Sequence, residues 1–457
     1  MTPRRWTVDS LAGGLAGATL VVALVLGGGQ GTLGDTLAQL LALALLATLA
    51  WRRARGTLAP WPRWAWVPVV AVVAVPLLQL LPLPEAWWSA LPGRAELAAQ
   101  MQAAGVDVGT RVTLDPAATE RALLWLLPGI ALYLAAPTLG PRARSVLVMV
   151  LLALAALSVV LGLLQMAAGP QSALRFYRIT NAQAAVGLFA NSNHLASLLV
   201  LCLPLAIAGA AMALQPAPDA RVRWPAAFAQ AAVAVALLLG VALTRSRAGV
   251  LLAMLALLGT VPLLWRAGVH RRVRRAALVA GAVAAVLLVQ FALFAVLQRF
   301  ARDPLADERL VYAEHTIHAA RDYAPVGSGL GTFGHVYPGY EARDPRGMSA
   351  ARVNHAHDDW LELWLEGGWA ALAAMLAFVA WFFATLRAAW RVDGPPELVR
   401  HGRALAVAAV LPFLHSWVDY PLRTSAMLAA TGLVLGLLVA HAAGGSPRRR
   451  GIGNTVG

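Results

Sequence analysis

The sequence contains no lysine, one cysteine and few charged residues for a chain of 457 residues. Charged residues make up 13% of it and hydrophobic residues 59%, whereas about 25% of a soluble domain is charged. This composition excludes a large soluble domain and indicates an integral membrane protein. The one cysteine, Cys202, excludes a disulfide framework within the chain, and its apolar surroundings indicate a packed core thiol.

Apolar segments of about 20 residues recur along the whole chain, and each is long enough to cross a bilayer as a helix. We therefore predict an all-α polytopic membrane protein with about twelve transmembrane helices. No A-x-A cleavage pattern follows the first apolar segment, so we interpret it as a retained span and not as a signal peptide. The predicted spans lie at about 10–28, 34–51, 64–82, 120–138, 144–166, 192–214, 225–243, 247–265, 275–298, 368–388, 402–418 and 423–442.

The net charge of +15 would suggest a nucleic-acid partner in a soluble protein, but here most arginines lie in short loops beside apolar segments. Such arginines set the orientation of a membrane protein, so no nucleic-acid partner is predicted. The loops on one side each carry at least two arginines, which predicts that both termini lie in the cytoplasm. The opposite, exterior side then holds the long segments 83–119, 167–191 and 299–367.

The exterior segment 299–367 is long for a structureless loop, so we predict that it carries short helices and the functional site. Its first part predicts a short interfacial helix with Leu310, Ala313 and Ile317 on one face, and with His315 and His318 at the surface. The glycine-rich stretch VGSGLGTFG is interpreted as a turn. It follows no predicted strand and lacks the Gly-Lys-Ser/Thr of a phosphate-binding loop.

Histidines and carboxylates are concentrated in RVNHAHDDWLELWLEGGW, residues 352–369. A helix from about Asp358 would place Asp358, Glu362 and Glu366 on one acidic edge, with Asp358 or Asp359 as an alternative helix cap. The pair His355 and His357 raises a metal site as one hypothesis. The zinc pattern His-Glu-x-x-His is absent, however, so general-base chemistry by a histidine beside a carboxylate is favoured and no metal is predicted.

Three other motifs place polar residues at the exterior ends of spans. Arg245 and Arg247 in LTRSRAGV either extend to lipid headgroups or form an anion site. Asn191, Asn193 and His194 in FANSNH either cap a helix or contact a sugar or phosphate. In LHSWVDYPLR, interfacial anchoring by the aromatic residues is favoured, and lining of a cavity by His415 or Asp419 is the alternative.

Four motifs together resemble the O-antigen ligase family, which includes related polysaccharide polymerases and protein O-oligosaccharyltransferases. They divide the chain into N-terminal spans at 1–186, a ligase-like region at 187–442 and a basic cytoplasmic tail at 443–457. The N-terminal third resembles the family only in its apolar spans. The motifs are GLFANSNHLASLLVL (187–201), LTRSRAGVLLAML (243–255), ERLVYAEHTIHAARDYAPVGSGLGTFG (308–334) and NHAHDDWLELWLEGG (354–368).

The resemblance implies a membrane glycosyltransferase C-type fold in a bacterial inner membrane and a reaction without metal or other cofactor. The donor would be a glycan on undecaprenyl pyrophosphate, and the acceptor a hydroxyl of a lipid or a protein. By the same resemblance, Arg247 and Arg309 would bind the pyrophosphate and His357 would act as the base. Asp358 stands where many relatives have asparagine, so His355 stays open as the base.

The resemblance also suggests residues that bind the substrates. Asp358 and Glu362 are expected either to orient the histidine or to bind sugar hydroxyls, and a direct, inverting displacement is the expected mechanism. A polymerase that extends the lipid-linked glycan is the alternative, and a transporter is less favoured because the charges gather at one membrane face. The expected substrate-binding residues are Arg175, Arg178, Asn191, Asn193, His194, Arg245, His355, Asp358 and Glu362.

Overall fold

The structure is a computed structural model of the chain. It describes residues 8–29, 33–58, 61–105, 111–178, 180–215, 223–265, 275, 308–344 and 352–444. Within these ranges helices are the only regular elements. The predicted all-α class is therefore confirmed for the described part of the chain. The predicted span at 275–298, beyond residue 275 itself, and the tail from residue 445 onward lie outside the described residues.

The first half of the chain forms eight helices within the residues that the structure describes. Short 3-10 turns at Arg63–Trp66 and Ala136–Thr138 precede α3 and follow α7. The helices are α1 (Val8–Leu26), α2 (Leu33–Ala54), α3 (Val67–Gln79), α4 (Glu85–Ser89), α5 (Ala95–Ala103), α6 (Pro116–Trp125), α7 (Leu127–Ala135) and α8 (Pro141–Ala167).

The second half supplies eight further helices in the described ranges. A 3-10 turn at Pro421–Arg423 joins the last two of them. The helices are α9 (Ser192–Ala213), α10 (Trp224–Leu243), α11 (Arg247–Trp265), α12 (Glu308–Asp322), α13 (Phe333–Glu341), α14 (Asp359–Trp390), α15 (Pro396–His415) and α16 (Ser425–Gly444).

Length and composition identify the membrane-crossing helices. In the described ranges 7 helical segments are long and apolar enough to cross a bilayer: α2, α6 with α7, α8, α9, α10, α14 and α16. Shorter apolar helices lie at Ser10–Leu26, Arg63–Gln79 and Arg247–Thr260. Helices satisfy their own backbone hydrogen bonds, as a hydrocarbon environment requires. The protein is thus a multi-pass helical membrane protein.

Helices α9 and α16 form the centre of the bundle. Within an apolar stretch of 18 residues in each helix, 78% of the stretch in α9 and 83% of that in α16 is buried. These shares are far larger than in the other long helices. Close backbone approach explains part of this packing. A Cβ at Gly432 of α16 would lie 2.2 Å from the carbonyl oxygen of Gly129 in α7. Small residues at such crossings permit the tight helix packing typical of membrane proteins.

A small polar module packs on one end of the bundle and has its own core. We call it the cap module, defined as α12, α13 and residues 352–358 together with the first turns of α14. Its core contains Ala319, Phe333, Tyr337, Ala356 and Leu365, all nearly fully buried. Short helices in the segment after residue 299 were expected, and α12 and α13 are such helices.

One histidine of α12 lies differently from the position expected from the sequence. Leu310, on the predicted apolar face of this helix, is 57% exposed. His315, predicted at the surface, is only 6% exposed. Its Nε2 lies 2.7 Å from Oδ2 of Asp344 and its Nδ1 lies 3.2 Å from the hydroxyl of Tyr337. Polar partners from α13 and the following residues therefore bury the side of α12 that carries this histidine, whereas His318 is exposed as expected.

A glycine separates the two parts of α14. Gly368 has φ +57°, and a Cβ there would lie 2.2 Å from the carbonyl oxygen of Pro325. The amide of Trp369 donates to that same oxygen at 2.8 Å. Only glycine fits this conformation and this contact. The acidic stretch 359–366 is thus held in the cap module, while the rest of α14 continues into the bundle.

Candidate active site

Asp419 is the centre of the polar cluster at the capped end of the bundle. It lies between α15 and α16 and is fully buried. Its Oδ2 accepts hydrogen bonds from Nδ2 of Asn193 at 2.5 Å and from a guanidinium nitrogen of Arg309 at 3.3 Å. Its Oδ1 accepts from the backbone amide of Tyr420 at 2.8 Å. One carboxylate therefore joins α9, α12 and the loop before α16.

Two histidines also face this carboxylate. Nδ1 of His357 lies 3.8 Å from Oδ2 of Asp419, and Nε2 of His194 lies 3.7 Å from Oδ1. Burial by itself raises the pKa of Asp419, but the contacts with His194 and His357 outweigh it and hold this pKa well below 3.8. Asp419 therefore stays ionised and supplies a buried negative charge to both imidazoles.

The ring of Tyr420 separates the histidines. Its centroid lies 4.9 Å from that of His194, 4.2 Å from that of His355 and 4.9 Å from that of His357. Burial, aided by the charge of Asp419, raises the pKa of Tyr420 to about 12. The tyrosine thus remains a neutral spacer that fixes three imidazole rings at defined positions.

The backbone around His357 is strained. This residue has φ +55°, a region that costs a residue with a Cβ about 1–2 kcal/mol. The next residue, Asp358, caps α14 by accepting from the amides of Trp360 and Leu361 at 2.9 and 3.0 Å. The cap fixes the start of the helix, and the left-handed turn before it directs the imidazole towards Asp419. Strain of this kind is often found at functional sites.

His355 belongs to a second, buried network. Its Nδ1 lies 2.8 Å from Oε1 of Glu362, whose Oε2 accepts from the amide of Ala356 at 2.8 Å. Both carboxylate oxygens of Glu362 are therefore engaged inside the protein, in contact with the histidine and the backbone. Between the two roles expected for this residue, the geometry favours orienting a histidine over binding a sugar hydroxyl.

Arg423 holds the acidic edge of α14 together. Its guanidinium lies 3.4 Å from Asp359, 3.5 Å from Glu362 and 2.8 Å from Glu366. Burial alone lowers the pKa of Arg423, but these three carboxylates raise it above its ordinary value. The acidic edge expected from helical spacing is thus a buried ion network and not a surface. The sequence offered no signal for this arginine beyond its place in a short turn.

The arginines expected to bind an anion lie at the same end of the bundle. Arg309, in the first turn of α12, also donates to the carbonyl of Val418 at 2.9 Å, and its side chain is 36% exposed. Arg245 and Arg247 are exposed just before and at the start of α11, and Arg245 has φ +54°. A Cβ at Gly249 would lie 2.7 Å from that of Ala196, so α11 begins beside the first turns of α9.

The remaining expected residues have more local contacts. Asn191 caps α9 by accepting from the amide of Asn193, while Asn193 itself reaches Asp419. Arg175 donates to the carbonyls of Asn181 and Ala184, both at 3.2 Å, within the loop before α9. Arg178 is exposed on that loop. The structure therefore brings Asn193 and His194 into the Asp419 cluster, whereas the contacts of Arg175 lie within its own loop.

Asp419 itself was the less favoured candidate in its motif. Anchoring by the neighbouring aromatic residues was preferred, and Trp417 is indeed 60% exposed. His415 and Asp419 are fully buried, and Tyr420 is 8% exposed and turned towards the histidines. The signal that could have identified Asp419 is an acidic residue beside the apolar end of a span, where an isolated charge is costly.

The family comparison identifies the region that carries most of these residues. Residues 232–376 match the family model described as O-antigen ligase. No curated protein matches the chain. The matched region includes Arg247, Arg309 and His357, whereas Asn193 and Asp419 lie outside it. The match covers about a third of the chain, and residues 232–376 are similar to the O-antigen ligase family.

Proposed function

We propose that the protein transfers a glycan from undecaprenyl pyrophosphate to an acceptor hydroxyl on the periplasmic face of the bacterial inner membrane. The family match supports a membrane glycan ligase or polymerase acting on lipid-linked glycans. The observation that carries the finer proposal is the meeting of His357 and Arg309 at the buried carboxylate of Asp419. A basic group and a cationic group thus lie side by side at one end of the bundle.

His357 is the proposed general base. Its Nδ1 faces Asp419, so the opposite ring nitrogen, Nε2, is the atom directed away from the carboxylate and towards the acceptor. The ionised carboxylate would orient the ring and stabilise the imidazolium as the proton arrives. The distance of 3.8 Å is long for a hydrogen bond, and such contacts often shorten only when substrate binds. Base catalysis contributes about 10² to 10⁴ in rate.

Arg309 and Arg247 are the proposed ligands of the pyrophosphate. The acceptor oxygen would attack the anomeric carbon while the bond from that carbon to the phosphate oxygen breaks. The lipid pyrophosphate leaves with the electron pair, and the acceptor proton passes to His357. Negative charge grows on the leaving group, and a guanidinium can stabilise it through two parallel hydrogen bonds. This single displacement inverts the anomeric configuration.

His355 is the competing base, and two observations favour His357. The side chain of His357 is 22% exposed and that of His355 is 10% exposed. His355 is also bonded to Glu362, which belongs to the Arg423 network. His355 therefore fits a supporting position beneath Tyr420, whereas His357 lies nearer to solvent and substrate.

The membrane arrangement expected from the sequence is part of the proposal. We propose twelve spans, both termini in the cytoplasm, a membrane glycosyltransferase C-type fold, and a ligase-like region at 187–442. The shorter apolar helices at Ser10–Leu26, Arg63–Gln79 and Arg247–Thr260 support additional crossings. A polymerase shares the same chemistry and differs in its acceptor. Clustering of the charges at one end of the bundle favours either enzyme over a transporter.

The proposal can be tested with purified protein in nanodiscs. The donor is lipid-linked glycan extracted from the cells that make the protein, and the acceptors are lipid core, protein and a second donor molecule. We expect product and free undecaprenyl pyrophosphate in equal amounts, with or without chelator. His357→Ala and Arg309→Ala should abolish formation of the glycan product and release of undecaprenyl pyrophosphate. Arg111→Ala should leave both unchanged, because Arg111 is an exposed arginine paired with Glu120. Full activity in both site variants would overturn the proposal.

A further inference from the structure

A polar cavity lies in the cap module, apart from the Asp419 cluster. Its volume is about 440 Å³, within the range of about 300–1,000 Å³ usual for small-molecule sites. It opens between the second half of α12 and the end of α13. Among the residues that the structure describes, every one that lines it carries a polar or charged side chain. They are Glu314, His315, His318, Arg321, Asp322, Tyr340, Arg343 and Asp344.

Two hydrogen bonds hold four of the lining side chains of this cavity in place. Asp344 lies 2.7 Å from His315, and both side chains are almost fully buried. The hydroxyl of Tyr340 donates to Asp322 at 2.8 Å. The guanidinium of Arg343 lies 5.8 Å from the centroid of the Tyr340 ring. The four hydrogen-bonded side chains lose little conformational freedom when a ligand binds, which favours affinity.

The chemistry of the lining selects among ligand classes. Carboxylates and guanidiniums are nearly balanced in number, so neither a phosphate nor a cation is favoured. A lipid chain is disfavoured because every described lining residue ends in a polar or charged group. Closely spaced planar donors and acceptors beside an aromatic ring suit a ligand with many hydroxyl groups and no net charge. A neutral saccharide has these properties.

The cavity lies along the same helix as the proposed catalytic cluster. Arg309 is in the first turn of α12, and the ring of Tyr312, one turn later, lies 5.9 Å from that of His357. At about 1.5 Å per residue, residues 314–322 lie about 8–20 Å further along the axis from Arg309. They are also on another side of the helix. A glycan would therefore need several linked sugars to reach from the Asp419 cluster to this cavity.

We propose that this cavity is a second saccharide subsite, which binds a distal neutral sugar of the glycan while its first sugar lies at His357. This inference rests on the proposed transfer function, because it assigns the cavity to the same donor. The subsite would select donors by the length of their glycan. It would leave the chemistry at the first sugar unchanged.

The first test compares two donors in the transfer assay. One is the full-length lipid-linked glycan, and the other is the same donor trimmed by exoglycosidases to its first sugar. We expect Arg321→Ala and His318→Ala to raise the KM for the full-length donor about tenfold and to leave the trimmed donor unaffected. Arg111→Ala is the matched control on an exposed arginine elsewhere. Equal effects on both donors, or no effect on either, would overturn the subsite.

The second test does not depend on transfer activity. Glycan released from the donor is titrated against the protein in nanodiscs, and binding is followed by saturation-transfer NMR. We expect binding by the wild-type protein and by His357→Ala, and at least about tenfold weaker binding by Arg321→Ala. Lack of binding by the wild type would overturn the subsite even if transfer occurs. Binding without any transfer would instead reject the proposed function and keep the saccharide site.

Discussion

Nδ1 of His357 lies 3.8 Å from Oδ2 of Asp419, and His357 lies within the family match at residues 232–376 whereas Asp419 lies beyond it. Asp419 also accepts hydrogen bonds from Arg309 and from Asn193. The carboxylate thus connects the histidine of the cap module, an arginine of α12 and the first turn of α9. The arrangement predicts that the chemistry depends on a residue outside the matched domain.

Asp419→Asn should remove activity without removing the fold. Asparagine keeps the size of the side chain and one acceptor oxygen, but it supplies no charge to stabilise a protonated His357. We expect kcat to fall by at least about 10²-fold, with KM for the donor changed much less. Steady-state transfer kinetics measure both values. A variant that retains kcat within a few-fold would show that Asp419 does not orient the base.

The difference in stability between the wild type and Asp419→Asn should depend on pH. Because the pKa of Asp419 is held well below 3.8 in the folded protein, its stabilising contribution is fully present above the ordinary pKa. It is lost as pH falls through the folded pKa. The wild type should therefore exceed Asp419→Asn by about 1–3 kcal/mol at neutral pH, and this advantage should shrink only below about pH 4. Thermal midpoints in detergent at matched pH provide the comparison. An advantage that disappears between pH 8 and 6 would contradict the assignment.

The strained backbone at His357 allows function and stability to be separated. His357→Gly and His357→Ala both remove the imidazole, but glycine tolerates φ +55° and alanine does not. We expect the glycine variant to be more stable than the alanine variant by about 1 kcal/mol, with both inactive. Denaturation midpoints and transfer assays on the same preparations measure this. Equal stability would mean that the left-handed turn relaxes once the histidine is removed.

Arg423 should be far more important for stability than an exposed arginine. Arg423→Gln would leave Asp359, Glu362 and Glu366 buried without their cation, at a cost of about 3–5 kcal/mol. Arg111→Gln breaks a pair with Glu120 whose side chains are 41% and 54% exposed, and should cost less than about 1 kcal/mol. Thermal midpoints of the two variants provide the test. Similar shifts for both would argue against a buried ion network.

Local sequence rules predicted the features that depend on neighbouring residues. Hydropathy located the 7 described helical segments that are long and apolar enough to cross a bilayer, because each apolar run must form its own hydrogen bonds in lipid. The capping alternatives for Asn191 and Asp358 agree with the observed caps, since a cap depends only on residues two or three positions away.

Long-range partners could not be predicted from the sequence. Asn193 and Asp419 are 226 residues apart in the chain, so nothing local indicated their hydrogen bond. The helical pattern of α12 placed His315 at the surface, because no pattern shows that Asp344 and Tyr337 bury the histidine. The charge network of Arg423 likewise depends on how α14 and the 3-10 turn before α16 meet.

The central claim is that His357, oriented by Asp419, takes the proton of the acceptor hydroxyl. The most direct test is single-turnover transfer by His357→Ala and His355→Ala, each with saturating lipid-linked donor and acceptor. We predict that His357→Ala slows the chemical step by at least about 10²-fold, while His355→Ala slows it much less. A normal rate for His357→Ala together with a large loss in His355→Ala would contradict the account and assign the base to His355.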